Sequence, residues 1–253
     1  MSVRYGHIAW CYDAVSSAYS LGAIGRAKRW HVARLRPGDR VLYVGAGTGR
    51  EVAVACATQP GIEVVCVEPC GAMARRLRRR LAPWADRVTI VEEPLRAAER
   101  SEAAGGGGFD WVCGHFFFNV FEAQAMPGVL AMAAAHVKPG GRMVVADFAA
   151  TGTSRSTSRD HEGADQPPGM NAGQVPLPDG RGSWLGSAKR YFHAAYYRPV
   201  NVAGWGLGMC ALHPIYDYAP VLEELGFVVE ERVGFSVIPG TPALYEVVCA
   251  RKK

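Results

Sequence analysis

Val41-Leu42-Tyr43-Val44-Gly45-Ala46-Gly47-Thr48-Gly49-Arg50-Glu51 is the most informative stretch of the chain. An apolar run leads into three glycines at alternate positions, and a helix-compatible segment follows. Glycine lets the backbone turn sharply and removes the Cβ atoms that would hold a ligand off it. A helix beginning there presents unpaired N–H groups and the positive end of its dipole. Such a turn can cradle an anion or the carboxylate end of a nucleotide-like cofactor. The dinucleotide fingerprint needs glycine where Arg50 stands, and the Gly-Lys-Ser/Thr of a phosphate-binding loop is absent. About twenty residues on, the next apolar run ends in Val67-Glu68-Pro69. An acidic side chain at that point can accept hydrogen bonds from both ribose hydroxyls.

Outward from this motif, short apolar runs alternate with helical ones. Strands are expected at Arg40–Val44, Glu63–Val67, Val88–Val91, Phe109–His115 and Arg142–Phe148, and helices at 49–58, 70–82 and 122–137. Nearly continuous apolar strands alternating with helices imply a parallel sheet covered on both faces. Lys138-Pro139-Gly140-Gly141 reads as a tight turn into the fifth strand. Residues 1–38 read as helical. Residues 151–183 are rich in Ser, Thr, Gly, Pro and Asp and read as a loop, lid or linker. Residues 184–220 hold a dense set of aromatics and histidines. A helix near 217–225 and strands at Phe227–Phe235 and Leu244–Ala250 close the chain.

The 253 residues suit one domain. Apolar residues make up 49% and charged residues 20%, which supports a real core and argues against disorder. A net charge of +5 is mildly basic and selects no partner by itself. The seven cysteines are scattered without a CxxC, so neither a disulfide framework nor a metal site is expected. The N-terminus shows no basic-then-apolar signal pattern, and no apolar run approaches the roughly 18 residues of a membrane span. These features point to a cytoplasmic protein, at most peripheral to a membrane.

Taken together, these stretches resemble class I S-adenosylmethionine-dependent methyltransferases, particularly the ubiquinone/menaquinone C-methyltransferase and phospholipid N-methyltransferase groups. The matching residues are Tyr12-Asp13 with Tyr19, Arg36-Pro37-Gly38-Asp39 leading into Val44–Gly49, Val67-Glu68-Pro69 with Met73, Phe109–Val112, and Val137–Gly141. They cover about residues 10–150. The resemblance implies an α/β, Rossmann-like, three-layer fold. Its seven-stranded, mostly parallel sheet would have an antiparallel last strand and a cap inserted after strand five. The single domain would divide into an N-terminal helical lid (1–38), a cofactor-binding core (39–150), a cap that binds the acceptor (151–220) and a C-terminal helix with strands (221–253).

Carried over residue by residue, Gly45, Ala46 and Gly47 would hold the amino-acid end of S-adenosylmethionine, and Glu68 its ribose. Pro69 and Met73 would help enclose the adenine, Tyr12 and Tyr19 would lid the pocket, and His115 and Phe116 would lie near the reactive methyl. Two departures stand out. Glu92-Glu93-Pro94 replaces the usual Gly-Asp after strand three, so Glu93 or its neighbour would meet the adenine amino group. Tyr43 replaces the usual acidic residue of the first strand motif. His115 and His193 are the candidate bases for an acceptor that must lose a proton, and packing is the competing reading of each. Tyr191–Pro199, which contains His193, either lines the acceptor pocket or fills the core, whereas His161 and His213 read as structural or surface residues.

The aromatic, weakly charged cap favours a small-molecule or lipid-like acceptor, a quinol, a phenol or an amine headgroup, and no nucleic acid. The basic run Arg75, Arg76, Arg78, Arg79 and Arg80 reads first as a solvated helix face, and otherwise as a peripheral contact with an anionic membrane surface. The rival functions are an inactive or non-methylating S-adenosylmethionine-binding protein and, more remotely, a NAD-linked oxidoreductase.

Overall fold

The computed structural model describes residues 10–98, 108–150, 174–176, 184–208 and 214–253, with side chains described except at 174–176 and 184–194. Strands β1 (Arg40–Val44), β2 (Glu63–Val67), β3 (Val88–Val91), β4 (Phe109–His115) and β5 (Val137–Phe148) run parallel. β8 (Tyr245–Lys252) lies antiparallel between β5 and β7 (Phe227–Phe235), and β6 (Gln174–Pro176) pairs antiparallel with β7. Across the sheet the order is β3-β2-β1-β4-β5-β8-β7-β6.

The seven expected strands are therefore present, with the last antiparallel to both its neighbours. The eighth, β6, lies within the stretch whose composition reads as loop. Its three residues pair through backbone groups with the open edge of β7, and such pairing leaves little trace in side-chain pattern. β5 also starts earlier than expected. The Lys138–Gly141 turn is absorbed into its first residues, and the register with β4 slips between Phe109 and Trp111.

Alternation within the strands divides the core in two. Val41, Tyr43, Val64, Cys66, Trp111 and Cys113 pack on one face against α2 (Ala23–Arg29), α3 (Arg50–Thr58) and α4 (Gly71–Leu81). Leu42, Val44, Val65, Val67 and Val112 pack on the other against α6 (Met126–Ala135) and α8 (Tyr218–Glu224). Both faces are covered, which is why the strands are apolar throughout. α6 is shorter than the 122–137 expected. Pro127 sits in its first turn, where a missing N–H costs nothing. The remaining helices are α1 (Tyr12–Ser20), α5 (Leu95–Ala98) and α7 (Trp184–Gly206).

Strand order reverses between β1 and β4, and in such sheets ligands bind in the crevice beyond the carboxyl ends at that point.

At the end of β5, the buried Asp147 accepts hydrogen bonds from Tyr218 Oη (2.5 Å), Asn119 Nδ2 (2.9 Å) and its neighbour Phe148 N (2.8 Å). Burial pushes its carboxyl up to about 7, against the pull of these donors. The native state therefore binds this proton more tightly than the unfolded chain does. The stabilisation is present at low pH and is lost as pH rises through the window from 3.8 to about 7. Thermal unfolding between pH 5 and 8 is expected to show a fall in Tm with rising pH, and Asp147→Asn should flatten it.

Candidate active site

The carboxyl ends of β1 and β4 open onto a cavity of about 490 Å³. The loop after β1 forms its floor. A Cβ on Gly45, at φ 67°, would come within 2.3 Å of the Phe117 ring, so only glycine fits there. A Cβ on Gly47, at φ 58°, would meet nothing within 4 Å, so this backbone faces open space that a ligand can enter. Gly45 N and Ala46 N donate to Val67 O, at 2.9 and 3.2 Å, and tie the loop to β2.

Glu68, buried at the end of β2, receives Gly47 N–H on Oε2 (2.7 Å) and Cys70 N–H on Oε1 (2.8 Å). Burial raises its pKa, and these two donors oppose the rise. A carboxylate offers about four lone-pair sites, so two remain for a ligand.

An ionic cluster lies at the same end of the cavity. Lys28 Nζ reaches from α2 to Glu51 Oε1 at 3.3 Å, and His115 Nδ1 lies 3.8 Å from that oxygen. Burial works against charge on Glu51, but Lys28 and His115 outweigh it and hold the pKa well below the usual carboxylate range. Burial likewise opposes the Lys28 ammonium, and Glu51 reverses the effect to leave its pKa raised. For His115 burial prevails, so the ring is held towards its neutral form, and its Nε2 has no hydrogen-bond partner among the described residues.

A second cavity, of about 530 Å³, adjoins the first, and the two share Tyr12, Phe116 and Val120 as walls. Its own walls include Tyr19, Phe148, Tyr197, Val200 and Leu207, together with Asn119. Phe116 adopts φ 54°, a left-handed conformation that costs a non-glycine residue about 1–3 kcal/mol. Its N–H donates to Ala146 O (2.8 Å), and its ring stands edge-on to Phe148 and Tyr245. The strain falls on the partition between the two cavities.

The N-terminal helices close over this region. Asp13 accepts from Thr48 Oγ1 (2.7 Å) and Arg80 Nη2 (2.9 Å), and Arg80 Nη1 also donates to Thr48 O and Oγ1 at 2.8 Å. Tyr19 Oη donates to Tyr196 O at 3.1 Å, and their rings stack with centroids 4.6 Å apart.

Of the residues singled out from sequence, Tyr12, Gly45, Gly47, Glu68, Pro69, Met73, His115 and Phe116 line the first cavity. The lining does not include Ala46, a buried residue of the loop. Tyr19 lines the second cavity instead. Glu93 is exposed, and Pro94 and Leu95 provide the wall at that turn. His193 falls on α7, and its side chain lies outside the described residues, as do His161 and His213. The Phe116-Phe117-Phe118 run reads from sequence as core and pocket wall, and Phe117 does line this cavity, whereas sequence reading missed Lys28 and Leu95. A lysine in a helical segment resembles any solvated lysine until its helix is placed.

Against the expectation of no metal-ligand spacing, His31, Cys113 and His115 bring potential ligand atoms within 4.8 Å of one another. Burial pushes the Cys113 thiol well up, and His31 Nε2 is engaged by Tyr43 Oη at 2.7 Å, so the group reads as core packing. On α4, Met73, Ala74, Leu77 and Leu81 are buried. Arg78 pairs with Glu92 at 2.5 Å, and Arg75, Arg76 and Arg79 are exposed. The apolar face of this helix is spent on the core, as in a solvated surface helix. No described helix is long and apolar enough to cross a membrane.

Residues 42–143 match the family model described as a methyltransferase domain. No curated protein sequence matches the chain. Among solved structures it is similar to an O-methyltransferase family protein from Burkholderia thailandensis, at 17% identity and TM-score 0.55. That match covers 92% of this chain but 56% of the other, so the chain spans little more than half that protein's length. Magnesium protoporphyrin IX methyltransferase from Synechocystis, solved with bound SAH, aligns at 14% identity and TM-score 0.56, covering 93% and 84% of the two chains. The 1,6-didemethyltoxoflavin-N1-methyltransferase of Burkholderia thailandensis, solved with its namesake compound and S-adenosylhomocysteine, aligns at 18% identity and TM-score 0.55, covering 100% and 92%. The fold is the Rossmann-like α/β fold these methyltransferases share.

The Asp13–Thr48–Arg80 contacts fasten α1 to the glycine loop. Arg80→Ala is expected to speed hydrogen exchange of the amides of residues 12–20 by about tenfold, leaving β1 and β4 unchanged. Mass-spectrometric exchange on the intact chain measures both.

Proposed function

We propose that the chain transfers a methyl group from S-adenosylmethionine to a small, largely apolar acceptor. The observation behind this reading is the pair of adjoining cavities, one with the glycine loop and Glu68, the other walled by aromatic and aliphatic side chains, meeting at Phe116. The first fits the cofactor: Gly47 leaves room against the backbone, and Glu68 keeps acceptor capacity beyond its two internal bonds. Glu68 would take the ribose hydroxyls, Gly45 and Gly47 the amino-acid end, and Pro69, Met73 and Leu95 would enclose the adenine. The cofactor supplies a methyl group already activated by its sulfonium.

What remains for the chain is alignment and exclusion of water. Holding two reactants in register can lower a barrier by about 7–11 kcal/mol. Phe116 and Tyr12, walls of both cavities, are placed to set that alignment, and α1 shields it from solvent. An amine that arrives neutral needs no base. A phenol or quinol must lose a proton, and the neutral ring of His115 could accept one, although it lines the cofactor cavity and not the apolar one. That placement favours His115 as a packing wall beside the cofactor. His193 stays the other candidate base, on the helix whose later residues Tyr197, Val200 and Leu207 line the apolar cavity. The named compounds of two similar structures, magnesium protoporphyrin IX and 1,6-didemethyltoxoflavin, are small molecules, in keeping with such an acceptor. A lipid-like acceptor fits the same walls.

Calorimetric titration with S-adenosylmethionine and S-adenosylhomocysteine tests the cofactor. Micromolar binding of both is expected, weakened at least tenfold by Glu68→Ala, which removes charge-assisted bonds to the ribose. Absence of binding by the wild-type chain would overturn the reading. Transfer of labelled methyl to a panel of phenols, quinols and lipid amines then identifies the acceptor.

A further inference from the structure

The geometry points to Lys28 as the anion receptor of the first cavity, binding the free carboxylate at the amino-acid end of the cofactor, with Glu51 as the counter-ion that holds its ammonium in place. This rests on the cofactor reading above. Lys28 belongs to α2, outside the strand and loop motifs that define the cofactor site, yet it lines the same cavity as Gly45 and Gly47. Among the described lining residues the other cation is Arg96, which is exposed and follows β3 on α5. Lys28 shares the walls of this cavity with Glu68, Tyr12 and His115.

Its bonding is incomplete. An ammonium carries three N–H donors. Among the described residues a single hydrogen bond uses one of them, to Glu51 Oε1 at 3.3 Å. A long side chain in a sheltered site with spare donors is set up to receive an anion. The buried ion pair also needs a reason to exist, since desolvating two charges can cost as much as their attraction returns. Binding an α-amino acid supplies one. The carboxylate of such a group would meet the Lys28 ammonium on the cavity wall, while Glu51 stays buried beside it as the counter-ion.

Tyr43 belongs to the same buried cluster as this pair. That position lacks the acidic residue expected near the cofactor's amino group, and Tyr43 is instead buried against His31. Glu51, from the first turn of α3, brings a carboxylate to the same cluster, and its charge acts on Tyr43, His115 and Lys28.

The test compares S-adenosylhomocysteine with its decarboxylated analogue, which keeps the amine and lacks only the carboxylate. Calorimetry on the wild-type chain is expected to favour the intact ligand by about 10- to 100-fold, the range of a charge-assisted contact. The double variant Lys28→Met/Glu51→Gln removes both charges without leaving Glu51 buried and unpaired. It should bind both ligands at the level the wild type shows for the decarboxylated one. Lys28→Arg, which keeps the charge, should retain most of the preference and serves if the double variant fails to fold. Equal affinities for the two ligands in the wild type, or an unchanged preference in the double variant, would sink the Lys28 assignment and leave the cofactor reading intact. A pair that merely fastened α2 to α3 would lower Tm on substitution without changing the ratio, and that result also overturns it. Binding of neither ligand by the wild type would remove the cofactor reading and this assignment together.

Discussion

Two backbone N–H groups converge on one carboxylate at the centre of this molecule. Glu68 takes Gly47 N–H from the loop after β1 and Cys70 N–H from the turn after β2. With the bonds from Gly45 and Ala46 to Val67 O, it sews the ends of the two central strands together. The loop can then hold three left-handed glycines in one arrangement, and α3 can start where its first turn brings Glu51 into the core. A buried carboxylate without such donors would be driven to protonate. The same side chain thus shapes the loop and keeps acceptor capacity for a ligand.

The second organising constraint is the burial of both sheet faces. Helices cover the strands on each side, so a ligand can reach the backbone only beyond the strand ends, and the reversal of order between β1 and β4 opens a crevice there. Everything polar in the site comes from the edge of that crevice or from the lid above it. Phe116 sits where the crevice divides, and its strained backbone holds the partition in place. Polar contacts fasten α1 to the glycine loop, whereas α2 is buried in the core through Ala23 and Ala27. Asp13, Thr48 and Arg80 make these contacts, while Trp10, Val15 and Leu21 stay exposed.

Much of this was legible in order of residues alone. The glycine loop, the strand before it and the acid after β2 act through local conformation and short-range spacing, and each leaves a fixed signature. Pro69, Met73, His115 and Phe116 likewise come at or shortly after strand ends, and with Tyr12 of α1 they line the first cavity. Glu93 and Tyr19 show the limit. A shift of one or two residues after β3 turns Pro94 and Leu95 inward and leaves Glu93 in solvent, and a turn of helix places Tyr19 on the neighbouring cavity.

The sequence by itself determined the sheet, its helical cover, the glycine cradle and the acid that faces it, because hydrophobic period and turn chemistry are local properties of a chain. Tertiary structure alone decided the partners of side chains far apart in sequence. Lys28, Glu51 and His115 become one ionic cluster only when α2, α3 and β4 meet. Arg80 leaves the basic run of α4 to latch Asp13, and the edge strand β6 appears only because β7 offers it unpaired backbone. The apolar cavity is likewise a product of packing, assembled from α1, the segment after β4, the end of β5 and α7. Charge and shape complementarity between distant segments depend on how whole elements pack, and no window of residues records that.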